Sequence, residues 1–481
     1  MVLSLCRRQS QNRVCSVRFF SLVLPLLFAA EIFGFGKNKI EYEHFSWNYY
    51  RVPHFEVYFS QNQGVLPAIA SQWIENDFEA LRRDFSFTPR DRFPLIIYGS
   101  PNSFAQTNII SDILPEGVGG FTTQIKNRIV VPFDGSYDEL RHVLHHELVH
   151  GFQYSILFEQ FGSSIFTGAD AQLPLWFAEG LAEYLSSGWN TESDMFLMDA
   201  TIFGSIGLPG PELGGYMAYK GGQSFFAFLA SSRGEKQFSL FLARFKEMKN
   251  VERSFKEVYG KSPEELGEEW KTELKRLYWP EIGRRKAPAK FGTALTSHEK
   301  DRDNFNLKPR ISPDGTKVAY FSDLRDYTRI LVCTMKGDII QEIGQSGYAG
   351  SFESFQPFRT GMCWSPQSDK LAFVSSNNGK DELRIIDIKK KKLVKAFIPG
   401  LASVISPDWS PNGFDIVFCG TDRGYCDLFV YNSRTGSCTP LTKDVYSEAD
   451  PRYTRDGRGI ESTSRAPRPA PSPDRTATSR R

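Results

Sequence analysis

Residues 136–150 read Ser-Tyr-Asp-Glu-Leu-Arg-His-Val-Leu-His-His-Glu-Leu-Val-His and decide how the first half of this 481-residue chain folds. Ser136 and Glu139 have the spacing of a capping box, in which a hydroxyl and a carboxylate satisfy free N–H groups at a helix start. Three leucines follow at the spacing of one helix face: Leu140, Leu144 and Leu148. The stretch is therefore predicted to form a helix that packs on a core.

The same helix contains His146, Glu147 and His150, which form the pattern HExxH. Residues four apart lie on one helix face with Cβ atoms about 5–6 Å apart, so both imidazoles can reach one metal ion. Glu147 beside them is placed to take a proton from a metal-activated water, whose pKa zinc lowers toward about 7. The pattern predicts one zinc ion, bound by the two histidines, with Glu147 as the general base.

The histidines of this chain are clustered. Of its 7 histidines, four lie between residues 142 and 150. This clustering favours a site over a solvated helix face that carries histidines by chance. It also leaves a second pair open, because His142 precedes His146 by four residues. The pair His146 and His150 is preferred, since only this pair brackets a glutamate at the required position.

Residues 175–184, Leu-Trp-Phe-Ala-Glu-Gly-Leu-Ala-Glu-Tyr, predict a second helix that begins near Pro174. A catalytic zinc ion usually has three protein ligands. Glu179 is the candidate for the third, because a carboxylate on a core-packed helix needs a partner that offsets its desolvation. Glu183, one turn later, could accept the second ring N–H of a ligating histidine. The alternative is that both are exposed surface glutamates.

HExxH followed by the helix pattern W-x-x-E-G-x-A-E-Y, here Trp176 to Tyr184, resembles the gluzincin class of zinc metallopeptidases. The resemblance is specifically to the peptidase-MA-like domains of exported bacterial proteins, and it covers roughly residues 37–285. It implies one zinc ion on His146, His150 and Glu179, Glu147 as general base, and a peptide or protein substrate. It also implies an oxyanion stabiliser, for which Tyr216 and Tyr219 are candidates, although either could be a core aromatic.

The rest of this domain is predicted to be α+β. Three strands are predicted, at residues 54–59, 93–98 and 128–133, and helices at residues 66–84, 222–231, 235–249 and 262–277. If the strand at 128–133 lies at the sheet edge, it could bind an extended peptide by strand addition. The alternative is an ordinary interior strand. Residues 155–173, between the two metal-binding helices, are a candidate lid.

The N-terminus has the features of an export signal. Four arginines, Arg7, Arg8, Arg13 and Arg18, precede an apolar stretch at residues 19–30. The stretch is shorter than the roughly 20 residues that span a bilayer, but no clear cleavage site follows it. We therefore expect residues 1–36 to be a signal peptide or an uncleaved anchor. The remainder is expected outside the cytoplasm, periplasmic or extracellular, with membrane attachment only through this segment.

Charge and cysteine usage exclude several classes of protein. The net charge is +2, and no basic groove with interleaved aromatics is evident, so nucleic acid is not expected as a partner. No cysteine lies between residues 16 and 332, which leaves the first domain without disulfides or thiolate ligands. Five cysteines follow: Cys333, Cys363, Cys419, Cys426 and Cys438. An odd number implies at least one free thiol or an external partner, and Cys419 and Cys426 could pair.

An internal repeat follows a predicted linker at residues 286–306. Ser-Pro turns precede short strands at Ser312, Ser365 and Ser410, which are 53 and 45 residues apart, and a weaker copy begins at Thr454. A period near 45 with three or four strands per unit predicts propeller blades. The repeats resemble TolB-type β-propeller repeats over residues 307–460, which implies a binding or scaffolding role and a possible protein partner.

The propeller is predicted to be incomplete. Three repeats and the start of a fourth fall short of the 4 to 8 blades that usually close a propeller, so a truncated chain, or completion by another copy, is expected. Residues 461–481 lack large aliphatic and aromatic side chains and are predicted to be disordered.

Two functions follow from these patterns, and a metal-dependent hydrolase that acts on a non-peptide bond is a third alternative, which the resemblance to peptidases favours less. The first is zinc-dependent hydrolysis of peptide bonds outside the cytoplasm. The second is a non-catalytic envelope binding or scaffold protein that acts through its propeller and whose metal site is structural or silent. A fourth protein ligand, His142 or His145, would favour the second function.

Overall fold

The computed structural model describes residues 41–111, 113–158, 172–286, 288–344 and 354–465. The predicted signal or anchor, residues 159–171 of the candidate lid, and residues 466–481 of the tail lie outside the described residues. Residues 155–158 of the candidate lid continue the HExxH helix.

The first domain contains one mixed sheet in the order β1-β2-β3-β5-β4. Its strands are β1 (Trp47–Arg51), β2 (Phe55–Ser60), β3 (Phe93–Tyr98), β4 (Phe121–Thr122) and β5 (Ile129–Pro132). The strands β2, β3 and β5 are parallel, whereas β1 and β4 pair antiparallel at the two edges. The three predicted strands are confirmed to within one residue. The edge position considered for residues 128–133 is wrong, because the short strand β4 covers the free side of β5.

Ten α-helices are described in the chain, and they dominate the second half of the first domain, as predicted. They are α1 (Leu66–Asp84), α2 (Pro101–Phe104), α3 (Tyr137–Phe158), α4 (Leu175–Ser187), α5 (Thr191–Ile202), α6 (Tyr216–Arg233), α7 (Lys236–Met248), α8 (Val251–Tyr259), α9 (Pro263–Arg284) and α10 (His298–Asp301). Helix α9 continues past the predicted end at Leu277 to Arg284, and its residues beyond Tyr278 are not buried.

Helix α3 carries the HExxH pattern and lies in the core. Its stripe of three leucines is at most 2% exposed, as predicted. Ser136 Oγ accepts a hydrogen bond from the Glu139 N–H at 3.2 Å, which is half of the predicted capping box. The other half is wrong, because the Ser136 N–H donates to Asp134 Oδ1 at 2.9 Å instead. Asp134 thus satisfies the donor that Glu139 was expected to satisfy.

Three sheets are described after the first domain, and each contains four consecutive antiparallel strands, which agrees with the three or four strands predicted per repeat. They are β6–β9 (Asn306–Ile311, Lys317–Ser322, Arg329–Thr334, Ile339–Ile343), β10–β13 (Met362–Trp364, Lys370–Asn377, Lys380–Asp387, Lys392–Phe397) and β14–β17 (Ser403–Trp409, Asp415–Asp422, Tyr425–Asn432, Cys438–Pro440). The repeated serines close the turns: Ser312 Oγ accepts from Lys317 N at 3.0 Å, and Ser365 Oγ accepts from Lys370 N at 2.9 Å.

The fourth repeat forms a hairpin of β18 (Ser447–Tyr453) and β19 (Ile460–Arg465), joined to the third sheet. The prediction of disorder is therefore wrong for residues 461–465, because the backbone of β18 supplies hydrogen bonds that do not depend on side-chain composition. Cys419 and Cys426 are free thiols. Cys426 faces Thr421 and Cys419 faces Leu428, so the two cysteines are diagonal neighbours on adjacent strands.

The first domain contacts the blades through buried polar groups. Asn102 Nδ2 donates to Asp381 Oδ1 at 2.7 Å, and Gln356 Nε2 donates to Asn102 Oδ1 at 2.7 Å. At the start of α3, the Tyr137 hydroxyl donates to the Gly424 carbonyl oxygen at 2.6 Å. The HExxH helix is thus anchored at its first residue to the third blade.

A substitution at Gly64 tests how strongly the contact between the first domain and the blades stabilises the protein. Gly64 has φ +53°, and a Cβ there would lie 2.2 Å from the Arg423 carbonyl oxygen across the contact. Gly260 is the matched control, because it has φ +75° in the left-handed helical region and nothing within 4 Å of a Cβ. The left-handed conformation alone costs about 1–2 kcal/mol for an alanine. In urea unfolding, Gly64→Ala is expected to lower the free energy of unfolding by clearly more than Gly260→Ala. Equal losses would mean that the contact between the domains contributes little.

Candidate metal centre

Three donor atoms from α3 and α4 converge on one point. His146 Nε2 and His150 Nε2 each lie 3.1 Å from Glu179 Oε2, and the two nitrogens lie 3.2 Å apart. Ligands about 2.1 Å from a tetrahedral zinc ion are about 3.4 Å from one another. The triangle therefore has nearly the size of one face of a zinc coordination tetrahedron.

The opposite ring nitrogens show where the imidazole protons lie. His150 Nδ1 is 3.0 Å from Gln153 Oε1, and Gln153 Nε2 donates to the Ala178 carbonyl oxygen at 3.0 Å, which orients the amide. His146 Nδ1 is 3.4 Å from Glu183 Oε1. A hydrogen-bond acceptor beside each Nδ1 favours the proton on that nitrogen when the ring is neutral, which leaves Nε2 to bind a metal ion. Two nitrogen lone pairs and a carboxylate oxygen that face one another fit a bound cation.

The electrostatics of the triangle agree with this donor set. Burial disfavours the charged form of His146, but hydrogen bonds with Glu179 and Glu183 and the charge of Glu147 raise its pKa to about 10. Burial alone would raise the pKa of Glu179, and hydrogen bonds with the two histidines lower it to about 2 instead. The carboxylates therefore create a strongly negative environment that holds positive charge at this point.

A second group of three residues, His142, His146 and Glu183, shares one histidine with the first. Glu183 Oε1 lies 3.4 Å from both His142 Nε2 and His146 Nδ1. Glu183 Oε2 is 3.1 Å from the ammonium of Lys220, and both of these side chains are only 8% exposed. The lysine already supplies the positive charge there and repels a metal ion. Glu183 therefore orients His146, and Lys220 holds Glu183 in place.

Close packing of α4 and α6 brings Lys220 and Tyr219 to the site. The helices cross at Gly180 and Gly222, where a Cβ on either glycine would lie 2.5 Å from the backbone of the opposite helix. Lys220 is not among the site residues predicted from the sequence. The feature that could have indicated it is a lysine immediately before two glycines in a helix of mostly apolar and small residues.

Glu147 is buried beside the triangle. Burial raises the pKa of its carboxyl group. Its Oε2 lies 2.8 Å from Thr122 Oγ1 on the edge strand β4. Thr122 is not predicted from the sequence, because a strand of two residues is too short to show an alternating apolar pattern. The threonine holds one carboxylate oxygen and leaves the other for a further partner.

The two tyrosine candidates are placed differently. The ring of Tyr219 stacks on His146 with 6.1 Å between ring centroids. Burial and the charge of Glu179 raise the pKa of Tyr219. Tyr216 is half exposed and packs edge-on against Phe196, so it is not brought to the triangle. Tyr154, which sequence reasoning missed, stacks on His150 with 6.3 Å between ring centroids.

Neither of the histidines considered as a fourth ligand reaches the triangle. His142 faces Glu183, and His145 Nδ1 lies 3.7 Å from Asp77 Oδ1 on the opposite side of α3. Among the described residues, the triangle therefore has three protein donors. A cavity of about 300 Å³ opens next to His150 and Glu179. Aromatic and aliphatic side chains line much of it: Tyr154, Leu157, Phe158, Leu173 and Leu175.

Within the described part of the chain, no helix combines the length and apolarity that a membrane crossing requires.

Comparison with known proteins gives partial similarities. No family model matches the sequence. Over 83 residues, 17% of this chain, it is 31% identical to the Tol-Pal system protein TolB of Ruthia magnifica subsp. Calyptogena magnifica. Over 70 residues, 14% of this chain, it is 36% identical to the Tol-Pal system protein TolB of Vesicomyosocius okutanii subsp. Calyptogena okutanii (strain HA). The matches cover 19% and 16% of those proteins.

Two solved structures have weak similarity. TolB from Acinetobacter baumannii matches 34% of this chain and 39% of its own, with 21% identity and a TM-score of 0.29. A putative TolB from Agrobacterium tumefaciens matches 33% of this chain and 54% of its own, with 22% identity and a TM-score of 0.26. At TM-scores below 0.5 these similarities support no conclusion about fold.

The sequence matches bear on one of the two predicted resemblances. They support the TolB-like character of the C-terminal repeats and provide no support for the gluzincin resemblance, which stays a prediction. The chain spans less than a fifth of the length of either curated relative. Part of this chain is therefore similar in sequence to TolB proteins.

Proposed function

We propose that the first domain is a zinc-dependent peptidase. The observation that carries the proposal is the triangle of converging ligand atoms, His146 Nε2, His150 Nε2 and Glu179 Oε2, with edges of 3.1–3.2 Å. Three protein donors beside an open cavity correspond to a catalytic zinc site, whereas a structural site usually has four. A general base, Glu147, lies on the same helix between the two histidines.

His146, His150 and Glu179 would hold the ion. When bound, zinc would supply a Lewis acid that polarises a carbonyl group and acidifies a water molecule. Glu147, held through Oε2 by Thr122, would use its other carboxylate oxygen to take the water proton and pass it to the leaving amine. The phenol of Tyr219 is protonated at neutral pH and would donate a hydrogen bond to the developing oxyanion.

A peptide substrate suits the surroundings of this site. Strand β4 is the last strand of its sheet and carries Thr122, which contacts the general base. An extended peptide could pair with the free side of β4 and so pass beside Glu147. The cavity next to His150 would accept an apolar side chain.

The similarity to TolB favours a second function, which does not exclude the first. The two curated relatives are Tol-Pal system proteins. We propose that the blades of this chain bind a protein partner in the cell envelope, outside the cytoplasm. In that case the chain would act as a scaffold, and the metal centre would be secondary or silent.

Zinc content tests the peptidase proposal. Elemental mass spectrometry of the full chain is expected to find about one zinc ion per chain. Glu179→Ala should lower this content strongly, because it removes one corner of the triangle. Glu273→Ala is the matched control, since Glu273 is exposed on α9 and pairs with Arg276. Absence of zinc from the natural protein would overturn the peptidase proposal and leave the binding function.

A further inference from the structure

Helix α9 leaves the core before it ends. Its last buried side chain is Tyr278, but the helix continues to Arg284. Trp279 and Ile282, which follow, are 51% and 53% exposed, and Phe291 beyond the helix is 76% exposed. Three large apolar side chains exposed within 13 residues are unusual for a surface that faces only water.

Two of these apolar side chains share a helix face with a lysine. Lys275, Trp279 and Ile282 have the spacing i, i+4, i+7, which places them on one side of α9. The ammonium of Lys275 lies 5.4 Å from the centroid of the Trp279 ring. This face therefore has an apolar patch at its end and a cation on a long aliphatic stem beside it.

Positive charge is concentrated on the same segment. Residues 275–291 contain six basic residues and one acidic residue, a net charge of +5, whereas the whole chain has a net charge of +2. The basic residues are Lys275, Arg276, Arg284, Arg285, Lys286 and Lys290. The acidic residue, Glu281, pairs with Arg284 and Arg285, and these arginines stay 75% and 63% exposed. The remainder of the chain thus has a net charge of −3, so this segment is one of the basic surfaces of an otherwise acidic chain.

We infer that residues 275–291 bind the surface of a bilayer that contains anionic lipids. Lysine and arginine beside an exposed tryptophan and isoleucine are the composition of helices that lie at the boundary between headgroups and acyl chains. The aliphatic stems of the basic residues can cover apolar surface while their charges reach anionic headgroups. The net charge of +5 favours this occupant over a second copy of the same segment, which would repel it. The inference is independent of the peptidase proposal.

Vesicle co-sedimentation of the full chain tests this inference. Binding is expected to be stronger to vesicles that contain phosphatidylglycerol than to vesicles of phosphatidylcholine alone, and to weaken as salt is added. Trp279→Ser combined with Ile282→Ser should lower the partition coefficient on the anionic vesicles by about tenfold, because two apolar side chains no longer leave water. Tyr327→Ser combined with Leu441→Ser is the matched control, since these side chains are 49% and 50% exposed on the blades.

The apolar residues 19–30 are the same in every variant, so they contribute equally to all measurements. Equal binding to the two vesicle types would overturn the inference, as would a Trp279/Ile282 variant that binds like its control. Light scattering without lipid provides the remaining test. If the natural chain is a dimer and the Trp279/Ile282 variant is a monomer, the face is a contact between copies and the membrane inference is wrong.

Discussion

Glu147→Gln is expected to lower peptide hydrolysis by about 10³-fold while zinc stays bound. The substitution keeps the size of the side chain and its contact with Thr122, but the amide cannot take a proton from water. Glu147 is not one of the three converging donors, so the zinc content should not change. The measurement is turnover of a peptide mixture followed by mass spectrometry, together with zinc content of the same samples.

Thr122→Val provides an intermediate case for the same mechanism. It removes the hydroxyl that lies 2.8 Å from Glu147 Oε2 and leaves the carboxylate in place. Its turnover should fall between that of the natural protein and Glu147→Gln. Unchanged turnover in Glu147→Gln would reject this glutamate as the general base, even if zinc is present.

Lys220→Met is expected to lower the free energy of unfolding by about 3 kcal/mol, because it leaves the carboxylate of Glu183 buried without its cation. The same substitution should weaken zinc binding by about tenfold or more, since Glu183 orients His146. Urea unfolding in the presence of a chelator measures the first effect without a contribution from metal. Competition with a zinc chelator measures the second.

Two further variants show whether the effect arises from the buried charge. Adding Glu183→Gln to Lys220→Met should recover part of the lost stability, because no unpaired carboxylate remains. Lys256→Met is the control, since Lys256 pairs with Glu252 on the exposed surface of α8 and is expected to matter little. If the double variant is as unstable as Lys220→Met, the loss comes from packing and not from charge.

Much of the local structure can be predicted from the sequence. Helix α1 has the predicted bounds, and the strands β2, β3 and β5 lie within one residue of them. The Ser-Pro repeats indicate units of three or four strands, and each C-terminal sheet contains four consecutive antiparallel strands. These predictions succeed because periodic burial and turn chemistry depend on residues that are close in the sequence.

Other features lie beyond such local patterns. The edge strand of the first sheet is β4, a two-residue strand that no periodicity signals, and residues 461–465 form a strand only because β18 offers its backbone. Lys220 and Thr122 come to the site from elements 37 and 25 residues away from the groups they contact. Contacts between residues this far apart in the sequence form only when separate elements pack together, as α4 and α6 do where they cross at Gly180 and Gly222.

The candidate donors can be predicted from the sequence, because HExxH and the following glutamate helix place two imidazoles and a carboxylate on helix faces of known period. That these faces meet, with three donor atoms 3.1–3.2 Å apart, follows only from the fold. The fold also decided that Tyr219 and not Tyr216 lies against His146, and that Lys220 neutralises Glu183. The physical reason is that helical period follows from backbone geometry within one segment, whereas convergence depends on how separate segments pack against each other.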